Sequence, residues 1–412
     1  MDAAAPESSP ASPPTRKSRP RNRRAEIARH AGELFSVRGF HAVRMDDIAE
    51  ASGITARALY RHYENKQALL AHVVREDQQH VIDVLTALAA QPVGARDSDA
   101  DLAAVTNAAL DSRRLSLLWQ REARHLAADD YRLVRRQTRW IAATLDELFL
   151  THDRADLGPA VIDIRSWVLV SIISGHGLYD SPLPRARLAG ELIAAARRVI
   201  DGPPPDMPAT DPPAAEQVDR TPVARREQLI WAAARAFRDK GFGGVGNDDV
   251  GGQLGMVGPA LYRYFDNKAD LLVAAVNRLH EWRALELTRA MRTPCPDEQV
   301  LASIVRGYVR VAIEASELLA VWLTERLYLP DAARERFDRI EADYIAEWQR
   351  WLSVARPDLP DVVASSLVRT TKTVIDDCAR IQRLQRLPIF RAELSAAALA
   401  TLGLPAGSPL TA

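Results

Sequence analysis

The feature that most constrains this chain is that its sequence repeats itself 202 residues apart. Residues 53–70 read GITARALYRHYENKQALL and residues 255–272 read GMVGPALYRYFDNKADLL, and no gap is needed to align them. The register also holds upstream, where Gly39-Phe40 falls on Gly241-Phe242. Solenoid repeats have periods of roughly 20–50 residues. A period of this length therefore indicates a duplicated domain.

The repeat continues into the rest of each half. Trp119 and Glu122 match Trp322 and Glu325 at an offset of 203 residues. Apolar residues recur with the period of amphipathic helices, and no segment alternates like a strand. We therefore predict an all-α protein of two tandem units, each a helix-turn-helix, three-helix head followed by a helical-bundle regulatory domain.

Composition and periodicity give the predicted boundaries. The linker between the halves carries six prolines before Pro222, and at its length it spans ~65 Å if it is fully polyproline-like. The predicted segments are a disordered basic and Pro-rich arm (1–20), the first head (21–66), the first regulatory domain (67–200), the linker (201–222), a second, degenerate head (223–268), the second regulatory domain (269–404) and a tail (405–412). The predicted helices of the first half are 45–51, 55–62, 66–90, 100–127, 130–150, 159–180 and 185–200. Those of the second regulatory domain are 269–291, 297–327, 331–354, 359–386 and 390–402.

Charge is unevenly distributed although the chain is neutral overall. Between residues 15 and 29 there are seven basic residues and one acid, which is typical either of a DNA-binding arm or of a solvated tail. Two cysteines are too few for a disulfide framework, so we expect a reducing, cytoplasmic location near the nucleoid. The apolar stretch 161–173 contains Asp163 and Arg165 and predicts a buried helix rather than a membrane span.

The segment 45–66 predicts a DNA-reading head. Ser52-Gly53 provides a tight turn between two short helices, and Thr55 is placed to cap the second one. In a helix-turn-helix the N-terminus of the second helix enters the major groove. We therefore expect Thr55, Ala56 and Arg57 to face base edges, with Arg57 as the main reader because bidentate guanidinium–guanine contact is the commonest specific pairing. The remaining predicted DNA contacts are Arg23, Arg24, Arg44, Tyr60, His62 and Lys66, and in the second head Gly258, Tyr262, Tyr264 and Lys268.

These residues carry a family resemblance. The pattern of Gly-Phe, a short helix, Gly-Ile-Thr and LYRHYENKQALL resembles the DNA-binding domain of the TetR family of transcriptional regulators. Together with LLWQREARHL it is similar to the tandem members that repress mammalian-cell-entry operons of actinobacteria, which encode lipid and sterol import. The resemblance implies a repressor of lipid or sterol transport or metabolism genes, released from double-stranded operator DNA by a hydrophobic effector.

The second head departs from this pattern. Gly251-Gly252 replaces Ala49-Glu50 inside a helix, at ~1 kcal/mol per glycine relative to alanine. Gly258-Pro259 replaces Ala56-Arg57, which removes the main base reader. Either this head is a phosphate clamp with weak base readout, in which Gly258 allows close backbone approach, or it is a structural remnant. In the clamp interpretation Lys66 and Lys268 contact phosphates at the start of the following helix.

The resemblance also implies an effector pocket within each regulatory bundle and a dimer interface made of C-terminal helices. The two halves pair either with each other, as an intrachain pseudo-dimer, or with another chain as a homodimer. The effector is expected to be a lipid, a sterol or an acyl thioester, and neither a cofactor nor a metal is expected. Aromatic and histidine candidates for the pockets are Trp119, His125, Trp140, Trp167, His176 and Tyr179 in the first half and Trp322, Tyr328, Tyr344 and Trp348 in the second.

An enzyme is not predicted, because the chain contains no Gly-rich phosphate loop, G-x-S-x-G or H-E-x-x-H motif. The alternatives to a repressor are an all-helical interaction scaffold and an activator with only one functional DNA-reading head.

Overall fold

The computed structural model describes residues 20–112, 115–152, 154–179, 181–205, 222–256 and 258–405. Within these ranges every regular element is helical, which confirms the predicted all-α class. The predicted arm, apart from its last residue, lies outside the described residues. So do residues 206–221 of the linker and all of the tail beyond residue 405.

The first half contains nine α-helices in its described part. The head comprises α1 (Pro20–Arg38), α2 (Met45–Ala51) and α3 (Ala56–Leu59), and α4 (Lys66–Ala89) leads out of it. The regulatory bundle then follows as α5 (Ser98–Asp111), α6 (Leu115–Glu122), α7 (Ala128–Phe149), α8 (Pro159–Ser174) and α9 (Arg185–Asp201).

The second half repeats this order. Its head comprises α10 (Arg225–Gly244), α11 (Asn247–Gly252) and a 3₁₀ helix over Gly258–Arg263. The bundle is formed by α12 (Lys268–Arg292), α13 (Asp297–Glu314), α14 (Ser316–Glu325), α15 (Asp331–Ala355), α16 (Asp361–Cys378), α17 (Gln382–Gln385) and α18 (Phe390–Leu402).

Three predicted helices were wrong in their extent. The predicted helix 100–127 is α5 followed by α6, 297–327 breaks at Ala315, and 359–386 ends at Cys378 before a separate short helix. Ala315 is fully buried and has φ −115° and ψ 35°, outside helical values. Apolar spacing continues through such a break because both pieces bury a face, so periodicity alone does not reveal a change of axis.

The two halves pack against each other within the single chain. Helices α8 and α9 of the first half contact α16 and α18 of the second, which forms a four-helix interface. Among the described residues one helix, Pro159–Leu178, is long and apolar enough to cross a membrane, but 67% of its apolar window is buried inside the protein. The expectation of a buried helix in this segment agrees with the structure.

A buried ion pair crosses this interface. Arg165 Nε lies 2.7 Å from Glu393 Oε1, and the two side chains are 3% and 0% exposed. The Arg165 guanidinium also donates to the carbonyl oxygens of Gly202 and Pro203, at 2.8 and 2.7 Å. Arg165 on α8 therefore makes contacts both with the end of α9 and with α18. Burial raises the pKa of the Glu393 carboxyl, and the neighbouring Arg165 opposes that shift.

We expect Arg165→Met to destabilise the chain by about 3–5 kcal/mol, because it leaves the Glu393 charge buried without a partner. The double variant Arg165→Met, Glu393→Met should recover most of that loss. Urea unfolding of the single and double variants measures both effects. A double variant no more stable than the single one would contradict this account of the pair.

Candidate DNA-binding site

The first head has the geometry of a helix-turn-helix. Gly53 has φ 63°, a left-handed value that favours glycine, and it forms the turn between α2 and α3. The Thr55 hydroxyl accepts the N–H of Ala58 at 3.2 Å, which is the predicted N-cap. Arg57 is exposed, whereas Ala56 is half-buried against the core of the head. Thr55 and Arg57 thus lie on the outer surface, and Ala56 is partly withdrawn from it.

The second head keeps the turn but not the α-helix that follows it. Gly255 has φ 64°, which matches Gly53, yet a 3₁₀ helix over Gly258–Arg263 replaces α3. Gly258 and Pro259 are the two weakest helix formers and stand where Ala56 and Arg57 start α3. Packing explains the glycine at position 251, because a Cβ on Gly251 would lie 2.9 Å from the carbonyl oxygen of Met256.

Tyrosine and arginine side chains repeat on the outer surface of both heads. Tyr60 and Tyr262 are each 53% exposed, and Tyr264 is 41% exposed. Arg61 and Arg263 are also exposed at equivalent positions. Sequence reasoning missed these two arginines, although the shared LYR motif contains them. Large exposed aromatic residues are informative because such side chains are usually buried.

The structure does not support the prediction that Lys66 and Lys268 contact phosphates. The Lys66 ammonium donates to the carbonyl oxygens of Phe40 and Val43, at 2.7 and 2.8 Å. Lys268 donates to Phe242 and Val245 in the same way, at 2.7 and 2.9 Å. Burial lowers the pKa of both lysines. Each ammonium group therefore holds the loop between the first two helices of its own head.

The other residues predicted to contact DNA differ in their exposure and in their contacts within the head. Arg44 is exposed and precedes α2, and His62 is half-buried. Arg23 donates to Glu26 and to the Ser52 carbonyl oxygen, both at 3.4 Å. The Arg24 guanidinium lies 5.0 Å from the centre of the Tyr63 ring. Arg23 and Arg24 therefore make contacts inside the head, in addition to any role at its surface.

Comparison with known proteins bears on both heads. Residues 25–73 and 229–275 each match the sequence profile described as bacterial regulatory proteins, tetR family. Both heads are therefore TetR-like, as two units in tandem along the chain. The repressor KstR2 of Rhodococcus jostii is 28% identical over 109 residues, which is 26% of this chain and 53% of the relative. The activator FasR of Mycolicibacterium smegmatis is 33% identical over 84 residues, which is 20% of this chain and 38% of the relative.

The chain thus matches about half or less of the length of these curated relatives. Among solved structures, the ketosteroid transcriptional regulator KstR2 of Mycobacterium tuberculosis is 17% identical to this chain, with a TM-score of 0.37. The match covers 42% of this chain and 92% of the KstR2 chain. AibR, in complex with isovaleryl coenzyme A and operator DNA, is 17% identical to this chain, with a TM-score of 0.36. The match covers 42% of this chain and 96% of the AibR chain. All four named proteins are described as transcriptional regulators or, for AibR, as bound to operator DNA.

Each TetR-type head is tied to its regulatory bundle by one buried glutamate. Glu122 at the end of α6 accepts the N–H of Phe40 at 3.1 Å, and Glu325 at the end of α14 accepts the N–H of Phe242 at 2.8 Å. Both glutamates are almost fully buried. Burial is the main cause that raises the pKa of Glu122. A movement of α6 or α14 is therefore transmitted directly to the first loop of the corresponding head.

Arg124 connects the two halves at this level. Its guanidinium forms an ion pair with Glu325 and donates to the Thr324 hydroxyl at 3.2 Å. A Cβ at Gly241 would lie 3.0 Å from Arg124 Nε, so the side chain packs against the loop of the second head. Glu325, which holds the loop of the second head, is thus paired with a residue of the first half.

Trp119 lines a cavity inside the first regulatory bundle. The cavity holds about 40 Å³ of free space, within about 410 Å³ of unfilled volume that includes its opening to solvent. Its lining is almost entirely apolar, from α4, α5, α6, α7 and α8. The lining residues are Gln78, Val81, Ala109, Trp119, Thr138, Ile141, Val170, Ile173 and Ser174.

The other first-half pocket candidates lie elsewhere. Trp140 is 39% exposed on α7, and Trp167 is half-buried. His125 stacks on the Phe40 ring at 5.0 Å, and burial lowers its pKa to about 3. His176 is buried at the end of α8, and Tyr179 donates to or accepts from Thr370 across the interface at 2.7 Å. None of these five residues lines the cavity beside Trp119.

The second-half candidates surround buried charges. Tyr344 and Trp348 pack against the buried Tyr308, at ring distances of 5.8 and 5.7 Å, and the Arg283 guanidinium lies 4.1 Å from the centre of the Tyr344 ring. Tyr328 instead stacks on Phe242 of the head at 5.5 Å. Trp322 lines a cavity of about 560 Å³ at the boundary between the halves, whose lining is rich in charged residues. In the described part of the chain no cluster of His, Cys, Asp or Glu is placed to hold a metal ion.

Because Arg57 is exposed at the start of α3, we expect Arg57→Ala to weaken binding to the specific site by roughly 1–3 kcal/mol and to leave non-specific binding almost unchanged. Arg61→Ala is the matched control, since an exposed arginine beside the reading position should weaken binding to all sequences alike. Fluorescence anisotropy with specific and scrambled duplexes measures both. Equal losses on both duplexes for Arg57→Ala would show that it does not read bases.

Because Lys66 and Lys268 hold carbonyl oxygens, Lys66→Met and Lys268→Met should each lower stability by roughly 2 kcal/mol or more, since hydrogen bonds from charged groups contribute about 1.5–3 kcal/mol. The salt dependence of DNA binding should stay unchanged, whereas Arg61→Ala should lower its slope by about one. A slope reduced by one with unchanged stability would restore the original prediction that these lysines contact phosphates.

Proposed function

We propose that this chain is a ligand-responsive transcriptional repressor that binds double-stranded DNA mainly through its first head. The observation that carries the proposal is the repeated outer surface of the two heads, where Tyr60 and Tyr262 are each 53% exposed beside exposed Arg61 and Arg263. Arginine and tyrosine are phosphate-contacting residues, and their repetition in two heads provides two points of attachment to a duplex.

Base readout in this proposal belongs to the first head. Its α3 is a capped α-helix with Arg57 exposed in its first turn. The second head lacks both the α-helix and the arginine at this place. We infer that the second head contacts the phosphate backbone and contributes affinity with little sequence preference. Gly258 stands at the position where backbone and phosphate would approach each other.

The proposed assembly is a single chain acting as a pseudo-dimer. In support, the four-helix interface is formed by α8, α9, α16 and α18 of one chain. The interface also repeats across an approximate two-fold: Arg124 faces Gly241 of the opposite head, and Leu327 faces Gly39. Reciprocal contacts of this kind are typical of isologous interfaces in homodimers.

The proposed effector is a hydrophobic molecule such as a lipid, a sterol or the acyl part of a thioester, which enters the first bundle beside Trp119. The apolar lining of that cavity supports this class. Since Trp119 lies on α6 and Glu122 ends the same helix, an occupant that displaces α6 also displaces the loop of the first head. Arg124 extends the displacement to Glu325 and the second head. The proposed site of action is the cytoplasm, at promoters of lipid or sterol genes.

The test of this function is a footprint on the regions that flank the gene for this chain, with and without decanoic acid, cholest-4-en-3-one and decanoyl coenzyme A. A protected site that is released by one of these compounds supports a ligand-responsive repressor. An in vitro transcription assay on the same promoter distinguishes repression from activation, which is relevant because the similar FasR is named an activator. Absence of a salt-dependent mobility shift would favour the interaction scaffold.

The operator should not be a good palindrome, because the two heads differ at the base-reading positions. Substitution at each base pair of the footprint should reveal one strict half-site and one tolerant half-site. Mismatches in the strict half-site should each cost about 1–3 kcal/mol. Two equally strict inverted half-sites would contradict the pseudo-dimer and would require two chains that each present the first head.

A further inference from the structure

The two regulatory bundles differ at equivalent positions of the repeat. The offset is 202 residues along α4 and α8 and 203 along α5 to α7, so each residue that lines the first cavity has a counterpart in the second bundle. Val81 corresponds to Arg283, Thr138 to Glu341, and Val170 to Lys372. An apolar cavity wall in the first bundle is thus replaced by charged side chains in the second.

Those charges form one buried network. Arg283 is 1% exposed, and its Nη1 lies 2.6 Å from Glu341 Oε2. Lys372 lies 3.2 Å from Glu341 and 2.8 Å from Asp376. The Tyr308 hydroxyl also donates to Asp376. Proximity to Arg283 and Lys372 holds the pKa of the Glu341 carboxyl well below its usual range, against the opposing effect of burial. The inner part of the second bundle is therefore filled with paired charges.

Three polar side chains line the first cavity, Gln78, Thr138 and Ser174, and the amide of Gln78 carries a buried acceptor without a partner. This side chain is 1% exposed, and its Nε2 donates to the Thr138 hydroxyl at 2.9 Å. Thr138 in turn donates to the carbonyl oxygen of Val134 at 3.0 Å. Because the hydroxyl has one proton, it must accept from Gln78, and this fixes the orientation of the amide. Gln78 Oε1 is then left buried without a hydrogen-bond partner.

We propose that the first cavity, and not the equivalent region of the second bundle, binds an apolar effector, and that it selects a neutral ligand with a hydroxyl group that donates to Gln78 Oε1. This inference rests on the proposed function for its biological role, but not for the binding itself. A buried acceptor without a partner is costly, and a ligand that satisfies it gains selectivity over an otherwise identical ligand that does not. A carboxylate has no proton to donate and is disfavoured in the same apolar surroundings.

The second bundle excludes the same ligand. An apolar chain placed there would displace water from, or separate, charges that are stable only as a paired set. The remaining cavity at this end, about 560 Å³, is lined by Lys372, Glu341 and Asp376 and by Arg121 of the adjoining half. These charges disfavour an apolar chain there. Beside Trp119 an eight-carbon chain exceeds the enclosed space of about 40 Å³ and extends into the opening of that cavity.

The test uses 1-octanol, methyl octyl ether and octanoate as probes, in calorimetric titrations of the full chain without DNA. We expect one 1-octanol per chain, binding roughly 3–10-fold more tightly than the ether and more tightly than octanoate. Gln78→Leu should reduce the ratio between alcohol and ether to about one while it retains binding of the ether. His280→Leu, the equivalent change in the second bundle, should leave the ratio unchanged.

Two 1-octanol molecules per chain, or a ratio that persists in Gln78→Leu and falls in His280→Leu, would overturn the proposal. So would absence of binding by both 1-octanol and the ether. A separate mobility shift with each probe distinguishes this inference from the proposed function. If the probes bind with the expected ratio but do not release DNA, the binding site is supported and its role as the effector site is contradicted. If a compound that does not bind this cavity releases DNA, ligand regulation is supported and this cavity as its site is contradicted.

Discussion

The buried glutamate at the end of α6, and its counterpart at the end of α14, are the contacts on which the arrangement of this protein depends. Each accepts a backbone N–H from the residue after a glycine with left-handed φ, Gly39 or Gly241. A carboxylate so deeply buried is stable only when it is hydrogen-bonded or paired. The loop it holds is also held from the other side by Lys66 or Lys268. The head loop is therefore fixed by an acid from the bundle and a base from the head, and neither can move alone.

This pair of contacts explains why the lysines are repeated so faithfully. A lysine after an asparagine cap at a helix start resembles a phosphate clamp in sequence, because it combines a positive charge with free backbone N–H groups. The asparagine does cap α4, since its side chain accepts the N–H of Ala68 at 2.8 Å. The lysine, however, points back to carbonyl oxygens 23 and 26 residues earlier in the chain. Only the folded loop brings these atoms together, so no local pattern could have predicted the contact.

Other features of the structure were likewise predicted when they depend on adjacent residues and missed when they depend on residues far apart in the chain. The turn at Gly53 and the cap at Thr55 were predicted because each depends on a few adjacent residues. The buried network in the second bundle was missed because its charges come from α12, α15 and α16, where each looks like part of a solvated helical face. Pairing of the halves remained open because a proline-rich linker permits both an intrachain and an interchain arrangement. The breaks between α5 and α6 and between α13 and α14 were missed because apolar spacing persists across them.

Fusion of two units in one chain permits differences that a homodimer does not. In a homodimer every substitution appears on both sides of the two-fold, so a charge that fills one cavity also fills the other. Here Arg283, Glu341 and Lys372 occupy one bundle, while Val81, Thr138 and Val170 leave the other open. The same freedom applies where the halves meet. Arg124 reaches across to Glu325, whereas the equivalent Leu327 packs against Gly39 without a charge. The Arg124–Glu325 ion pair therefore links the bundle with the apolar cavity to the head that lacks a counterpart of Arg57, so under the proposed function a movement of α6 would reach both heads.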